Sequence, residues 1–186
     1  MPETDGQLYR RYLTEADEEA LKSLYIKYKE NLTLFLYGMV QNMDDAEELM
    51  MDTFAILASG TARYRSREDA GFKTWLYAVA KNQARMFLRR NRRGVELHEV
   101  QVETAGAEEP EKELLLTERN AQLYKALKGL DKDYRQVLFL LYFEELKPEE
   151  ISRIMKKSIK QVYNLTARGK TALKATLERM GYTWEL

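Results

Sequence analysis

Between Thr61 and Arg93, ten arginines and lysines stand against two carboxylates, Glu68 and Asp69, a local charge of +8. Cations at this density attract phosphates, and the segment interleaves them with Tyr64, Phe72 and Trp75, rings on which an unstacked base can lie. Lys73, Lys81, Asn82, Arg85 and Arg89 are the polar candidates for strand contact, and the last four share roughly one helical face by their spacing. Trp75 sits in an apolar stripe with Val79 and reads as core; Tyr64 and Phe72 read either as base contacts or as core aromatics. A second basic segment, Ser152 to Arg179, sets eight cations against Glu178. There Lys160, Gln161, Tyr163, Asn164 and Arg168 form a polar row suited to base edges. Amide side chains can pair bidentately with adenine, and an arginine can serve base or phosphate.

A third set is acidic. Asp45, Glu47, Glu48 and Asp52, with Phe54 beside them, lie on one predicted helix; a basic protein surface is their natural partner. Helix-dipole stabilisation accounts for Asp45 alone and leaves Asp52 unexplained. From Gly94 to Glu118, eight glutamates oppose only Lys112. This stretch is either a soluble tether or an anionic mimic of nucleic acid. The formal net charge of zero, from 30 cations and 30 anions in 186 residues, thus conceals two basic patches around an acidic spacer.

Other chemistry is disfavoured. The chain has no cysteine and one histidine, His98, which leaves no disulfide, thiolate nucleophile or metal cluster. Glu144 and Glu145, like Glu149 and Glu150, are adjacent and so do not face each other on a helix. No phosphate loop or nucleophile accompanies them, and neither enzymatic activity nor a cofactor is expected. No apolar run approaches the roughly 20 residues of a membrane span. The opening Met1-Pro2-Glu3-Thr4-Asp5 lacks the features of a secretory signal, so a cytoplasmic protein without membrane insertion is expected.

These residues need helices to position them. Apolar residues from Leu21 to Met39 recur at three- and four-residue steps, predicting one long helix or a broken pair. Asn42 to Asp45 offers a cap, the stripe from Ala46 to Leu57 follows, and Ser59-Gly60 closes it. An arginine-rich loop leads to a helix beginning near Phe72 and reaching Arg89-Arg90. The first module is placed at 1–93, an acidic linker with Gly106 and Pro110 at 94–113, and a second module at 114–186. In the second, Leu115, Leu116, Leu123, Leu127 and Leu130 restart a helix. Asp131 caps the next, with Tyr134, Val137, Leu138, Leu141 and Tyr142 inward. Pro148 opens a short helix, and Ser158 caps a basic one that buries Val162, Leu165 and Leu173. The last pair has the form of a helix-turn-helix. The fold class is all-α: two small helical domains on a flexible linker.

At this point the sequence resembles the sigma-70 superfamily of bacterial RNA polymerase specificity subunits, and in particular its two-domain extracytoplasmic-function type. Asp45-Ala46-Glu47-Glu48-Leu49 with Thr53-Phe54 resembles the helix that docks on the polymerase clamp. Phe72 to Asn82 resembles the helix that melts and reads the minus-10 element. Leu130, Tyr134 to Leu138, Tyr142 to Leu146, and Glu149 to Ile151 resemble the domain leading into the minus-35 reader; Val162, Asn164, Leu165 and Arg168 fit its recognition helix. The resemblance implies core RNA polymerase and promoter DNA as partners, an anti-sigma protein as regulator, and a linker that threads toward the polymerase active centre. The sequence departs from the pattern at Met51, where glutamine is usual, and at Met86, where aspartate is frequent. It departs again at Lys156, near which a small residue is common, and at Tyr163, near which a basic one is. Two other readings fit the residues: a polymerase-independent helix-turn-helix regulator, and a helical adaptor whose basic faces bind acidic proteins.

Overall fold

The structure is a computed structural model and describes residues 3–65, 71–97 and 124–182. Every regular element among these residues is a helix. The first, α1 (Asp5–Glu15), precedes the stripe that begins at Leu21. The Thr4 hydroxyl accepts the Gln7 amide while the Gln7 side chain accepts the Thr4 N–H, a reciprocal cap that fixes its start. Asp17 caps α2 (Glu18–Val40), which is one continuous helix and not a broken pair. Gln41 stops it in the left-handed region, at φ 59°. The Asn42 side chain accepts the Asp45 N–H to open α3 (Met43–Ala58), and Ser59 and Gly60 close it as expected.

Helix α4 (Phe72–Leu97) continues past the boundary expected at Arg93, through Gly94. A glycine inside a helix costs only about 1 kcal/mol relative to alanine, too little to stop an established helix. The rest of the linker, with Leu115, Leu116 and Leu123, lies outside the described residues. Residues 124–128 are helical. Asp131 then caps α5 (Lys132–Tyr142), Pro148 opens α6 (Pro148–Met155), and Ser158 caps α7 (Ile159–Arg179).

In the first module, Leu24, Tyr28, Leu32 and Leu36 of α2 meet Leu49, Phe54 and Leu57 of α3 and Phe72, Leu76 and Ala80 of α4, all buried. In the second, Leu138 of α5, Ile151 and Ile154 of α6, and Val162 and Leu173 of α7 form the core. Each such apolar side chain contributes about 1.5–3 kcal/mol on burial. The two cores are continuous, since α2 packs on α5 and α4 on α6. Phe35 links them, 5.1 Å from the Tyr77 ring and 5.9 Å from the Phe139 ring.

This packing explains why α5 departs from the single inward stripe expected of it. Val137 and Leu138 are buried, but so are Phe139 and Leu140, while Tyr142 is 40% exposed. A helix buried on more than one side carries apolar residues beyond one stripe.

The turn between α6 and α7 rests on Lys156, at φ 53°. A left-handed lysine is strained by its Cβ, and glycine is not. Lys156→Gly is expected to raise stability by about 0.5–1 kcal/mol, read as a higher urea midpoint at unchanged slope.

Candidate nucleic-acid and protein interfaces

The residues expected to contact a strand divide into three groups in the structure. Asn82, Arg85 and Arg89 are exposed on α4. Phe72 is 3% exposed, the core aromatic of the two possibilities. Its ring lies 5.4 Å from Tyr9, 5.6 Å from Tyr64 and 5.6 Å from Trp75. Half-buried Tyr64 stands against Gly6, where a Cβ would come within 2.6 Å of its hydroxyl, so α1 fixes how far that ring can swing inward. Trp75, expected in the core, is partly buried in the same cluster.

The third group faces the second module. Lys73 Nζ donates to the Glu144 carbonyl at 3.1 Å and lies 3.3 Å from the Glu144 carboxylate. Lys81, expected on an exposed face, is buried, and its Nζ donates to Gln136 Oε1 at 2.6 Å. Burial, the dominant cause, lowers the Lys81 ammonium to about 8; Asp133 opposes the shift, and Lys132, Lys157 and Arg85 reinforce it. One-face spacing is correct for Asn82, Arg85 and Arg89 and wrong for Lys81, because a second module covers the α4 surface one residue to the side.

On α3, Glu47, Glu48 and Asp52 are exposed and Asp45 is half-buried at the helix start. Phe54 is corrected from contact residue to core. It is 6% exposed and packs edge-on against Tyr25 at 5.2 Å. The apolar group that α3 does present is Met51, 54% exposed, where glutamine is usual in the resembled pattern.

On α7, Lys160, Gln161, Asn164 and Arg168 are exposed, and Tyr163 is 56% exposed. Gln161 is partly committed, since its side-chain oxygen accepts the Ser158 N–H at 2.8 Å while Ser158 Oγ accepts the Gln161 N–H at 3.2 Å. Its amide NH₂ remains available as a donor. Gly169 lets α7 close on α5, a Cβ there lying 3.3 Å from Leu138. The reading row is thereby held on a packed scaffold.

Three polar residues named in the sequence motifs were given no role of their own there. Arg135 is 7% exposed and donates to the carbonyls of Leu127, Leu130 and, in the first module, Gly38 at 2.6 Å. Gln136 is 2% exposed and Glu144 3%. Polar residues between apolar neighbours on α5 were the available signal for a second buried side. Among the described residues no group of histidines and carboxylates could hold a metal, and no helix is long and apolar enough to cross a membrane.

A chain with an aromatic, cation-rich helix on one module and a helix-turn-helix on the other is a two-module DNA-binding protein. The Sigma-70 region 2 family matches residues 24–94 and Sigma-70 region 4 matches 120–173, together about two thirds of the chain. The chain belongs to the sigma-70 family of transcription initiation factors, in its extracytoplasmic-function type. It is similar to RNA polymerase sigma factor YlaC of Bacillus subtilis, 26% identical over 87% of this chain and 94% of that one. It is likewise similar to RNA polymerase sigma-H factor of Pseudomonas aeruginosa, 26% identical over 95% of each. In fold it resembles the sigma factor RpoE of Bartonella quintana, solved with the anti-sigma factor NepR (TM-score 0.65, 18% identity, 84% of this chain and 96% of that one). CnrH, solved with the cytosolic domain of CnrY, has the same TM-score at 20% identity, with 95% of this chain and 99% of that one covered.

Proposed function

We propose that this chain is an alternative sigma factor that works by division of labour. The first module docks on core RNA polymerase through the acidic face of α3 and holds single-stranded minus-10 DNA on α4. The second reads duplex minus-35 DNA with α7. The observation that carries this is the presence of two exposed polar rows on separate modules, Asn82-Arg85-Arg89 on α4 and Lys160 to Arg168 on α7. Neither row resembles a catalytic constellation, and the protein acts by binding, in the cytoplasm where core polymerase resides. Weak modules gain effective concentration once polymerase holds both on one promoter. An anti-sigma protein is the expected antagonist, as NepR is the anti-sigma factor bound in the RpoE complex.

Association with core polymerase followed by promoter-dependent run-off transcription tests the reading. Tight specific duplex binding without core would instead favour a free-standing regulator. Asp52→Lys is expected to weaken core association about three- to tenfold, as reversal of a rim charge does. Unchanged affinity in a pull-down titration removes Asp52 from the interface. Asn164→Ala is expected to cost about 1–3 kcal/mol of discrimination at one base pair, measured by promoter selection with holoenzyme, with core affinity intact.

A further inference from the structure

With cysteine absent, methionine thioethers are the side chains that a peroxide oxidises first. Among the described methionines, Met39, Met50 and Met155 are buried and Met43 and Met180 half-buried, while Met51 is 54% exposed and Met86 40%. Met51 stands on the outward face of α3, one turn from Glu47 and Glu48 and beside Asp52, all of them exposed. An apolar thioether inside a rim of carboxylates has the make-up of an interface anchor, a place in which methionine is enriched. Its sulfur is also oriented. The Tyr25 hydroxyl donates to Met51 Sδ at 3.8 Å, and the Tyr25 ring is held edge-on against Phe54 at 5.2 Å, with Lys29 Nζ 5.9 Å from its centre. A thioether sulfur is a weak acceptor with two lone pairs. One points at the hydroxyl, and an oxidant meets the other.

We infer that Met51 is a peroxide-modification site whose oxidation weakens the docking of α3. This rests on the assignment of that face to core polymerase. In the reaction a sulfur lone pair forms the S–O bond as the O–O bond of hydrogen peroxide breaks. The transferred oxygen gives up its proton to the departing one, which leaves as water; sulfur loses two electrons and the peroxide gains them. The sulfoxide is a polar acceptor without a donor, and its neighbours Glu47, Glu48 and Asp52 are acceptors too. Covering it unpaired beneath a partner costs about a tenfold loss of affinity. Neutral hydrogen peroxide reaches this face freely, whereas the carboxylates repel an anionic oxidant such as hypochlorite. Sulfoxide reductases reverse the change at the expense of a thiol, so docking follows the supply of oxidant.

Graded hydrogen peroxide treatment of the full chain, with peptide mass mapping, is expected to add one oxygen to Met51 and Met86 before Met39, Met50 or Met155. Core affinity is then titrated for wild type, Met51→Leu and Met86→Leu, each against its own untreated form. Wild type and Met86→Leu are expected to lose affinity about tenfold on oxidation, and Met51→Leu to lose none, with circular dichroism unchanged throughout. The two epimer-specific methionine sulfoxide reductases supply a readout that does not involve polymerase. One of them alone is expected to repair most of the Met51 sulfoxide. Tyr25→Phe keeps the ring against Phe54, removes the donor and is expected to level the epimers. Oxidation of the buried methionines first, an equal loss in Met51→Leu, or no loss in Met86→Leu once Met51 is fully oxidised overturns the proposal. Should Met51 oxidise first and in one epimer while the untreated chain fails to bind core, the docking assignment of α3 falls and the modification site stands.

Discussion

Truncating Tyr9 to alanine is expected to destabilise the protein by about 3–5 kcal/mol, the range for a large buried aromatic. Its ring is fully buried, within 5.3–6.4 Å of Tyr12, Tyr64, Phe72 and Trp75, and its hydroxyl donates to the Leu57 carbonyl at 3.0 Å. That bond ties α1 to the end of α3, and Tyr12 adds a second tie to the Ala58 carbonyl at 2.8 Å. Two further contacts anchor the start of α1. Lys27 donates to Asp5 at 2.7 Å, and the Tyr28 hydroxyl donates to the same carboxylate. Tyr9→Phe separates the two contributions, since it keeps the ring and loses only the hydrogen bond, at about 1 kcal/mol. Urea midpoints for the two variants measure the difference. A Tyr9→Ala loss below about 1 kcal/mol would mean that α1 is not part of the cooperative core. Tyr64 leans on the same cluster, so the alanine variant is also expected to loosen the ring nearest the strand-contacting face.

The sequence reading began at Leu21 and passed over α1, although its signals were present. Thr4 and Gln7 have the spacing of a reciprocal cap, and Leu8, Tyr9 and Tyr12 recur at helical steps. An 11-residue helix is marginal in isolation, and what holds this one is the aromatic cluster, whose members Tyr64, Phe72 and Trp75 come from more than 50 residues away. The caps at Asn42, Asp131 and Ser158 were legible because each is a local rule satisfied within three residues. So was the α7 row, whose outward face follows from the buried positions of Val162 and Leu173. Lys81, Phe54 and Phe72 were not. The first faces solvent or protein according to whether the second module is docked, and periodicity on α4 carries no information about that. Phe54 and Phe72 belong to motifs that resemble functional helices, and motif membership does not separate the side chains that hold a helix in place from those that touch a partner. The family match gives two regions, residues 24–94 and 120–173, and burial shows which side chains within them reach the surface.

Lys81 makes the stability of the protein depend on pH in a direction opposite to that of its tyrosines. Its ammonium is brought from the ordinary 10.5 to about 8 chiefly by burial, with Asp133 opposing and three neighbouring cations reinforcing. Below pH 8 the group is charged in both the folded and the unfolded chain, and the fold bears the cost of burying that charge. Between about 8 and 10.5 the unfolded chain still holds the proton that the fold has released, so the unfolded state binds more protons and stability rises with pH. Tyr9, raised to about 12, and Tyr28, Tyr77 and Tyr124, held higher still by burial, act the other way. They stay neutral in the fold, and stability falls once unfolded tyrosines ionise near pH 10. The expected profile therefore climbs by about 2 kcal/mol from pH 8 to 9.5, the order of magnitude of 1.36 kcal/mol per unit, and then turns down. Lys81→Met keeps the bulk of the side chain and removes the titration. Its urea midpoint is expected to lose most of the rise while keeping the fall, the remainder coming from Lys132, which burial also lowers, and to lie above the wild type at pH 7.5, although Gln136 Oε1 gives up a donor. A rise undiminished in Lys81→Met would assign the linkage to another group and remove the burial of this ammonium as its cause. A profile flat in both proteins would show that Lys81 reaches water in the free chain, with the second module displaced from α4.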